Sequence, residues 1–283
     1  MANVLFLKLV KRLDYGLCNQ LLSLVSGIIH CIKQKYKLLI VDKFLTEINS
    51  NTYCSISYVF DLKLMNNYLK KYNLYIVDGF NINSRAFRPI SWDVITLAKE
   101  YNNRILLSFI DEIYKNIYFQ EKFIKYSNKF INENITDINN KSVNVIHLRI
   151  EDDALKHWSS INYMTVIEFK QMLINKYINL INEYIKKDDI TIILSGEINN
   201  KVVDYMKKYN YNVIFVDKKF DTREKTRELN AIIDLMIGKY CNNVFIGCGG
   251  STFSELLHKK INDTNTSGST IKKYMFDLNN IKI

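Results

Sequence analysis

The sequence predicts an α/β protein made of two Rossmann-like halves, each a parallel sheet covered by helices. Three observations carry this expectation. In the second half, short apolar runs rich in β-branched residues alternate with longer segments of helical period, which is the pattern of βαβ units. The first half repeats that pattern less regularly. The chain has 283 residues, 48% hydrophobic and 24% charged, enough for one large domain or two of about 140 residues with a core that needs no disulfide or metal staple.

In chain order, Val4–Val10 reads as a strand, Cys18–Lys35 as a helix and Leu38–Val41 as a strand. Leu74–Val77 and Ile105–Leu107 are further strand candidates, and the pattern from Phe109 to Ile135 is helical. Asn132–Lys141, polar and Asn-rich, is the best boundary; it gives domains 1–140 and 141–283 facing a central cleft. Val143–Leu148 opens the second half as a short apolar run, and a helical pattern follows over Thr165–Lys187. Ile190–Leu194, Val213–Val216, Val244–Ile246 and Tyr274–Phe276 read as strands. Helices near Asn199–Tyr209, over Thr226–Tyr240 and from Ser251 join them. In such sheets ligands gather at the carboxyl ends of the strands.

Charge and cysteine usage narrow the function. The net charge is +10, with 18 basic and 12 acidic residues up to Asn140 against 21 and 17 after it. The excess is spread along the chain and only seven of the basic residues are Arg, so it reads as a solvated surface and not as a nucleic-acid footprint. Cys18, Cys31, Cys54, Cys241 and Cys248 form no C-x-x-C pair and no metal-spaced cluster, which favours a reducing compartment. Lys8 breaks the first apolar run, and nowhere do 18 apolar residues run together. The expectation is a soluble, cytoplasmic protein with no membrane span.

Three segments place unusual residues at strand ends. Asp14-Tyr15-Gly16-Leu17-Cys18-Asn19-Gln20 leads into the first helix, where a glycine lets backbone N–H groups approach a ligand and Asn19 and Gln20 offer polar contacts; a plain capped turn is the other reading. His147-Leu148-Arg149-Ile150-Glu151-Asp152-Asp153 puts an Arg at the end of a buried strand, where it needs an anionic partner. That partner is either a phosphate gripped by the guanidinium fork or the acids that follow, and those acids are also candidates for a general base. Gly247-Cys248-Gly249-Gly250-Ser251-Thr252-Phe253-Ser254 opens a helix after a strand, which suits an anion on free N–H groups, hydroxyl donors from Ser251 and Thr252, and a base or sugar stacked on Phe253; ordinary N-capping is the alternative. No Gly-Lys-Ser/Thr is present, so this is not a Walker loop.

Taken in order, these residues resemble the motifs of the fucosyltransferase superfamily with the GT-B fold, most closely the protein O-fucosyltransferases. His147-Leu148-Arg149-Ile150 followed by Asp153 resembles H-L-R-I-x-x-D. Asp234-Leu235, Phe245-Ile246-Gly247 and Ser251-Thr252-Phe253-Ser254 resemble the C-terminal D-L, F-I-G and S-[ST]-F-[ST] block. Gly16-Leu17-Cys18-Asn19-Gln20 resembles the G-x-G-N-Q turn shared with α-1,2-fucosyltransferases, with Cys18 in place of the second glycine.

The resemblance implies a GT-B-like fold and a metal-independent, inverting transfer of a sugar from a nucleotide-diphosphate donor, GDP-fucose in the first instance, to a hydroxyl on a glycan or protein acceptor. No cofactor is implied; the nucleotide sugar is a co-substrate. On this reading Arg149 holds the diphosphate, with His147, Asp234, Gly249, Gly250, Ser251, Thr252 and Phe253 around the donor. Asp14, Gly16, Asn19 and Gln20 lie on the acceptor side, with Asn19 toward the reacting centre. The base is one of Glu151, Asp152, Asp153 and Asp14, with Glu151 or Asp153 ahead of the other two. The rival readings are the same fold with another GDP- or UDP-sugar, and a non-catalytic nucleotide- or glycan-binding protein.

Overall fold

The alternating apolar runs become parallel strands in the computed structural model of the chain, which describes residues 3–10, 16–47, 50–90, 95, 98–99, 101–136, 138–197, 199–215, 226–264 and 268–281. The chain divides into two compact units, Met1–Tyr126 with Phe220–Ile233, and Ser127–Lys219 with Asp234–Ile283.

In the first unit, β1 (Val4–Lys8), α1 (Leu17–Gln34) and β2 (Leu38–Val41) form the first βαβ turn. α1 is buried on nearly all sides from Leu17 to Cys31, with Leu21, Leu24, Val25 and Ile28 in the core. An antiparallel hairpin follows, β3 (Lys43–Glu47) and β4 (Thr52–Ser55), and after it α2 (Ile56–Val59) and α3 (Leu62–Leu69), whose first turn is capped by Asp61. β5 (Tyr75–Asp78) and the short β6 (Arg88–Pro89) complete a parallel sheet in the order β5-β2-β1-β6.

The expected strand at Ile105–Leu107 is not formed. Those residues lie in α4 (Arg104–Lys115), which starts on an Asn103 side-chain cap and buries Ile110, Ile113 and Tyr114 while Ile105 stays exposed. Three apolar residues in a row fit either period; the cap and the i, i+3, i+4 spacing decide for helix. The helical stretch from Phe109 to Ile135 is likewise two helices. Asn116 ends α4, and α5 (Glu121–Asn134) begins after Phe119 has bridged to Phe60.

The second unit is a five-stranded parallel sheet in the order β11-β10-β7-β8-β9. Its elements are β7 (Val143–His147), α6 (Asp152–Ile161), α7 (Val166–Tyr184), β8 (Ile190–Leu194), α8 (Lys201–Lys208), β9 (Asn212–Phe215), α9 (Arg227–Gly238, whose first residues belong to the first unit), β10 (Val244–Gly249), α10 (Thr252–Lys260) and β11 (Lys272–Asp277). β7 and β8 are buried at every position, as a central parallel strand covered on both faces must be. α7 starts on a complete capping box between Thr165 and Glu168. Its Phe169, Leu173, Tyr177 and Ile181 pack into the core with Ile146, Leu148, Ile193 and Val203.

The chain leaves β7 toward β8 and β9 on one side, then crosses to β10 and β11 on the other. The switch point of the sheet therefore lies between β7 and β10, the crevice where a doubly wound sheet places its ligand. Among the described residues, no helix is long and apolar enough to cross a membrane.

Candidate functional site

Two strand ends meet at that switch point. β7 delivers His147 and then Arg149, and β10 delivers Gly249, Gly250 and the start of α10. The pairing of Phe245 with Val145 and of Ile246 with Ile146 sets both ends at the same edge of the sheet.

Arg149 is one-fifth exposed and fully engaged by acids. Its Nη1 donates to Glu151 Oε2 at 2.7 Å, and its fork takes both oxygens of Asp153 at 3.2 and 2.9 Å. Burial works against the guanidinium's charge, but Glu151 and Asp153 outweigh it and hold Arg149 firmly protonated. Glu151 is fixed twice, since its Oε1 accepts from the Gly196 amide at 3.0 Å at the end of β8. Burial pushes its carboxyl up; Arg149 and, next, His147 pull it further down, below the ordinary range. Of the four candidate bases, then, Glu151 and Asp153 are both committed to Arg149. Asp152 is exposed on the first turn of α6, and Asp14 lies outside the described residues.

Behind Arg149 stands Tyr177, wholly buried in α7. Its hydroxyl donates to the His147 carbonyl at 2.7 Å and accepts from the Arg149 amide at 3.1 Å, so it fixes the backbone on both sides of Leu148. Cys248 Sγ lies 3.8 Å from the same hydroxyl, and burial pushes that thiol up to about 11. Ser254 is the second organiser. Its Oγ accepts from the Cys248 amide at 3.1 Å and sits 2.6 Å from His147 Nδ1. Sequence reasoning gave neither residue a task. Ser254 had a visible signal as the last residue of the S-T-F-S run, whereas Tyr177 is one apolar-face position among many in a long helix.

At the glycine turn, Gly250 has φ +85°, and a Cβ there would meet the Trp158 ring at 2.9 Å. This turn needs glycine for its backbone conformation and for the indole packed on it. Ser251 occupies the N-cap position of α10 but makes no side-chain cap hydrogen bond, so the capping explanation for this serine fails. The Gly250 amide instead donates to Glu255 Oε1 at 3.3 Å. Thr252 and Phe253 are half-buried, and the Phe253 ring packs on His147 with centroids 4.7 Å apart. Asp234 is buried in α9. The structure thus gathers His147, Arg149, Glu151, Asp153, Gly249, Gly250, Ser251, Thr252 and Phe253 at one sheet edge.

The first unit arranges its turn differently from the expectation. Gly16 is the N-cap of α1, in extended backbone, and Asn19 is half-buried. Gln20 is not available to a ligand: it is 1% exposed and both ends of its amide pair with the backbone of Leu45 in β3, each at 2.9 Å. A buried amide so placed satisfies a strand edge and holds the hairpin to α1.

The parallel sheets of the two units belong to an α/β fold of the GT-B-like class, which the solved structures below share. No family model matches the sequence, and no curated protein matches it. Solved structures do match in fold. The chain is similar to POFUT1 in complex with GDP-fucose, with a TM-score of 0.60 and 10% identity over 98% of this chain and 98% of that one. It is also similar to the NodZ alpha-1,6-fucosyltransferase co-crystallized with GDP, with a TM-score of 0.54 and 14% identity over 91% of this chain and 92% of that one.

Proposed function

We propose that the protein is a metal-independent, inverting glycosyltransferase that moves fucose from GDP-fucose to a hydroxyl acceptor. The observation that carries this reading is the placement of Arg149 beside the Gly249–Phe253 turn at the switch point of the second unit. A diphosphate seated there meets a guanidinium fork and the free N–H groups of a helix start, both positive. The GDP-fucose and GDP bound to the structural neighbours support the choice of nucleotide.

In the reaction, the acceptor oxygen forms a bond to the anomeric carbon as the bond from that carbon to the diphosphate breaks. GDP leaves with the electron pair, and the acceptor proton passes to a base. Arg149 and the α10 amides stabilise the charge that grows on the leaving phosphate, a preorganised electrostatic effect of the oxyanion-hole kind. Asp153, half exposed, is the partner that donor oxygens replace on the guanidinium, while Glu151, tied to Gly196, keeps Arg149 aimed. Glu151 thus serves the Arg, while Asp153, released when the donor takes its place, is free to accept the acceptor proton, with Asp152 and Asp14 as the other candidates.

A thermal-shift panel with GDP, UDP, CDP and ADP tests the reading. GDP at ~100 times its Kd should stabilise the chain by about 2.7 kcal/mol and the other three by much less. Arg149→Lys keeps the charge but loses the fork, and should lower donor turnover by about 100-fold with the fold intact. A response to UDP alone would move the donor to a UDP-sugar. Response to none, or full turnover by the Lys variant, would overturn the proposal.

A further inference from the structure

A helix that opens at a glycine leaves its first amides to whatever acceptor reaches them, and in nucleotide-binding folds that acceptor is often a phosphate. α1 opens in this way. Its N-cap, Gly16, brings no side chain, and its first turn holds no acidic residue. The acceptor comes from 211 residues away: the Leu17 amide donates to the carboxylate of Glu228, on the first turn of α9. Glu228 is 3% exposed. A Cβ on residue 16 would stand 3.2 Å from Glu228 Oε2 and 3.5 Å from Oε1, so this glycine makes room for a carboxylate of the chain itself. The approach is reinforced beside it, where the Arg227 amide donates to Glu47 Oε2 at 3.1 Å and Arg227 Nε lies 3.6 Å from Glu228 Oε1.

We propose that Glu228 is a positioning residue, a built-in anion that fills the phosphate-like place at the start of α1 and so fixes the turn that carries Asn19. Glu228 grips the start of the turn and Gln20, held by Leu45, grips its end; Asn19 sits between the two. It follows that the first helix is closed to the donor's phosphates, which are left to Arg149 and α10. The role in turnover rests on the transferase reading above; the role as a cap does not.

The test uses the full chain with Glu228→Ala and Glu228→Gln. Amide hydrogen exchange of residues 17–20 should be about tenfold faster in Glu228→Ala, the factor expected for a lost charged cap. Formate should slow it again, and Glu228→Gln, whose amide oxygen still accepts, should lie near the wild type. GDP-induced thermal shifts should be equal in all three proteins. GDP-fucose turnover should fall about tenfold in kcat for Glu228→Ala with the donor KM unchanged. Unchanged exchange in Glu228→Ala would overturn the cap. A raised donor KM or a lost GDP shift would overturn the positioning role, by placing Glu228 in the donor site. If the wild type itself ignores GDP, the transferase reading fails, and the exchange data still decide for or against the cap.

Discussion

Asp42, one residue beyond β2, gives the first unit a pH dependence. It is 8% exposed and accepts from the Leu9 amide at 2.9 Å. Burial raises its pKa to about 6, against the pull of that amide, Lys8 and Lys43; the Tyr53 phenol on the other side is itself held up by burial and by Asp42. An unfolded Asp titrates near 4. Below that value both states are protonated and nothing differs. From about pH 4 to 6 the folded state keeps a proton that the unfolded state has lost, so stability falls as pH rises, and the cost persists above 6. Asp42→Asn retains the acceptor for Leu9 without the charge. Relative to wild type it should gain about 2–3 kcal/mol more at pH 7.5 than at pH 4 in urea unfolding, and an equal effect at both pH values would refute the account. Single residues were legible in the sequence where their type conflicts with their place. Arg149 stands out because an Arg at a buried strand end demands an anion, whereas Gln20 passed for a ligand contact because its partner is a backbone edge that no local pattern reveals.

At the scale of elements, legibility followed burial. β7, β8 and β10 are apolar nearly throughout because both faces are covered, and such runs announce themselves. α4 was misread since Arg104–Leu107 lacks a polar interruption, and the hairpin of β3 and β4 was missed because its strands alternate too briefly to stand out. The glycine turn between β10 and α10 was legible as a turn that opens a helix, but its dependence on a ring from α6 was not. Trp158 and the positive φ at Gly250 make that dependence testable. Gly250→Ala should cost about 1–3 kcal/mol in stability through strain and contact with the indole. It should also weaken GDP binding in calorimetry, because the α10 amides are re-aimed; unaltered GDP affinity would detach the turn from the site.

For the molecule as a whole, composition set the class and little more. A net charge of +10 spread over both halves fits many soluble surfaces, and the twofold repetition of strand-helix pattern is what pointed to two sheets. Both sheets have a switch point, between β1 and β6 in the first and between β7 and β10 in the second. An Arg and a glycine-rich helix start, both at strand ends of the second half, suggested which sheet takes the donor, as did the order of the motifs. The described structure places the two segments after the neighbouring strands β7 and β10.

The pairing of Leu17 with Glu228 also has a temporal side. Chain synthesis delivers the first helix early and its carboxylate only after Ser127–Lys219 has been made, so the opening unit waits for a segment that arrives late. Contacts of such long sequence separation close slowly, because the loop entropy is spent before the contact returns anything. Pulse-labelled refolding should therefore find the amide of Leu17 gaining protection with or after the strands of the second sheet, while amides in the middle of α1 are protected sooner. Protection of Leu17 ahead of β7 and β8 would contradict this order. The first unit is thus a clasp whose two ends are written 211 residues apart in the message, and it shuts only when the chain has passed through β7, β8 and β9.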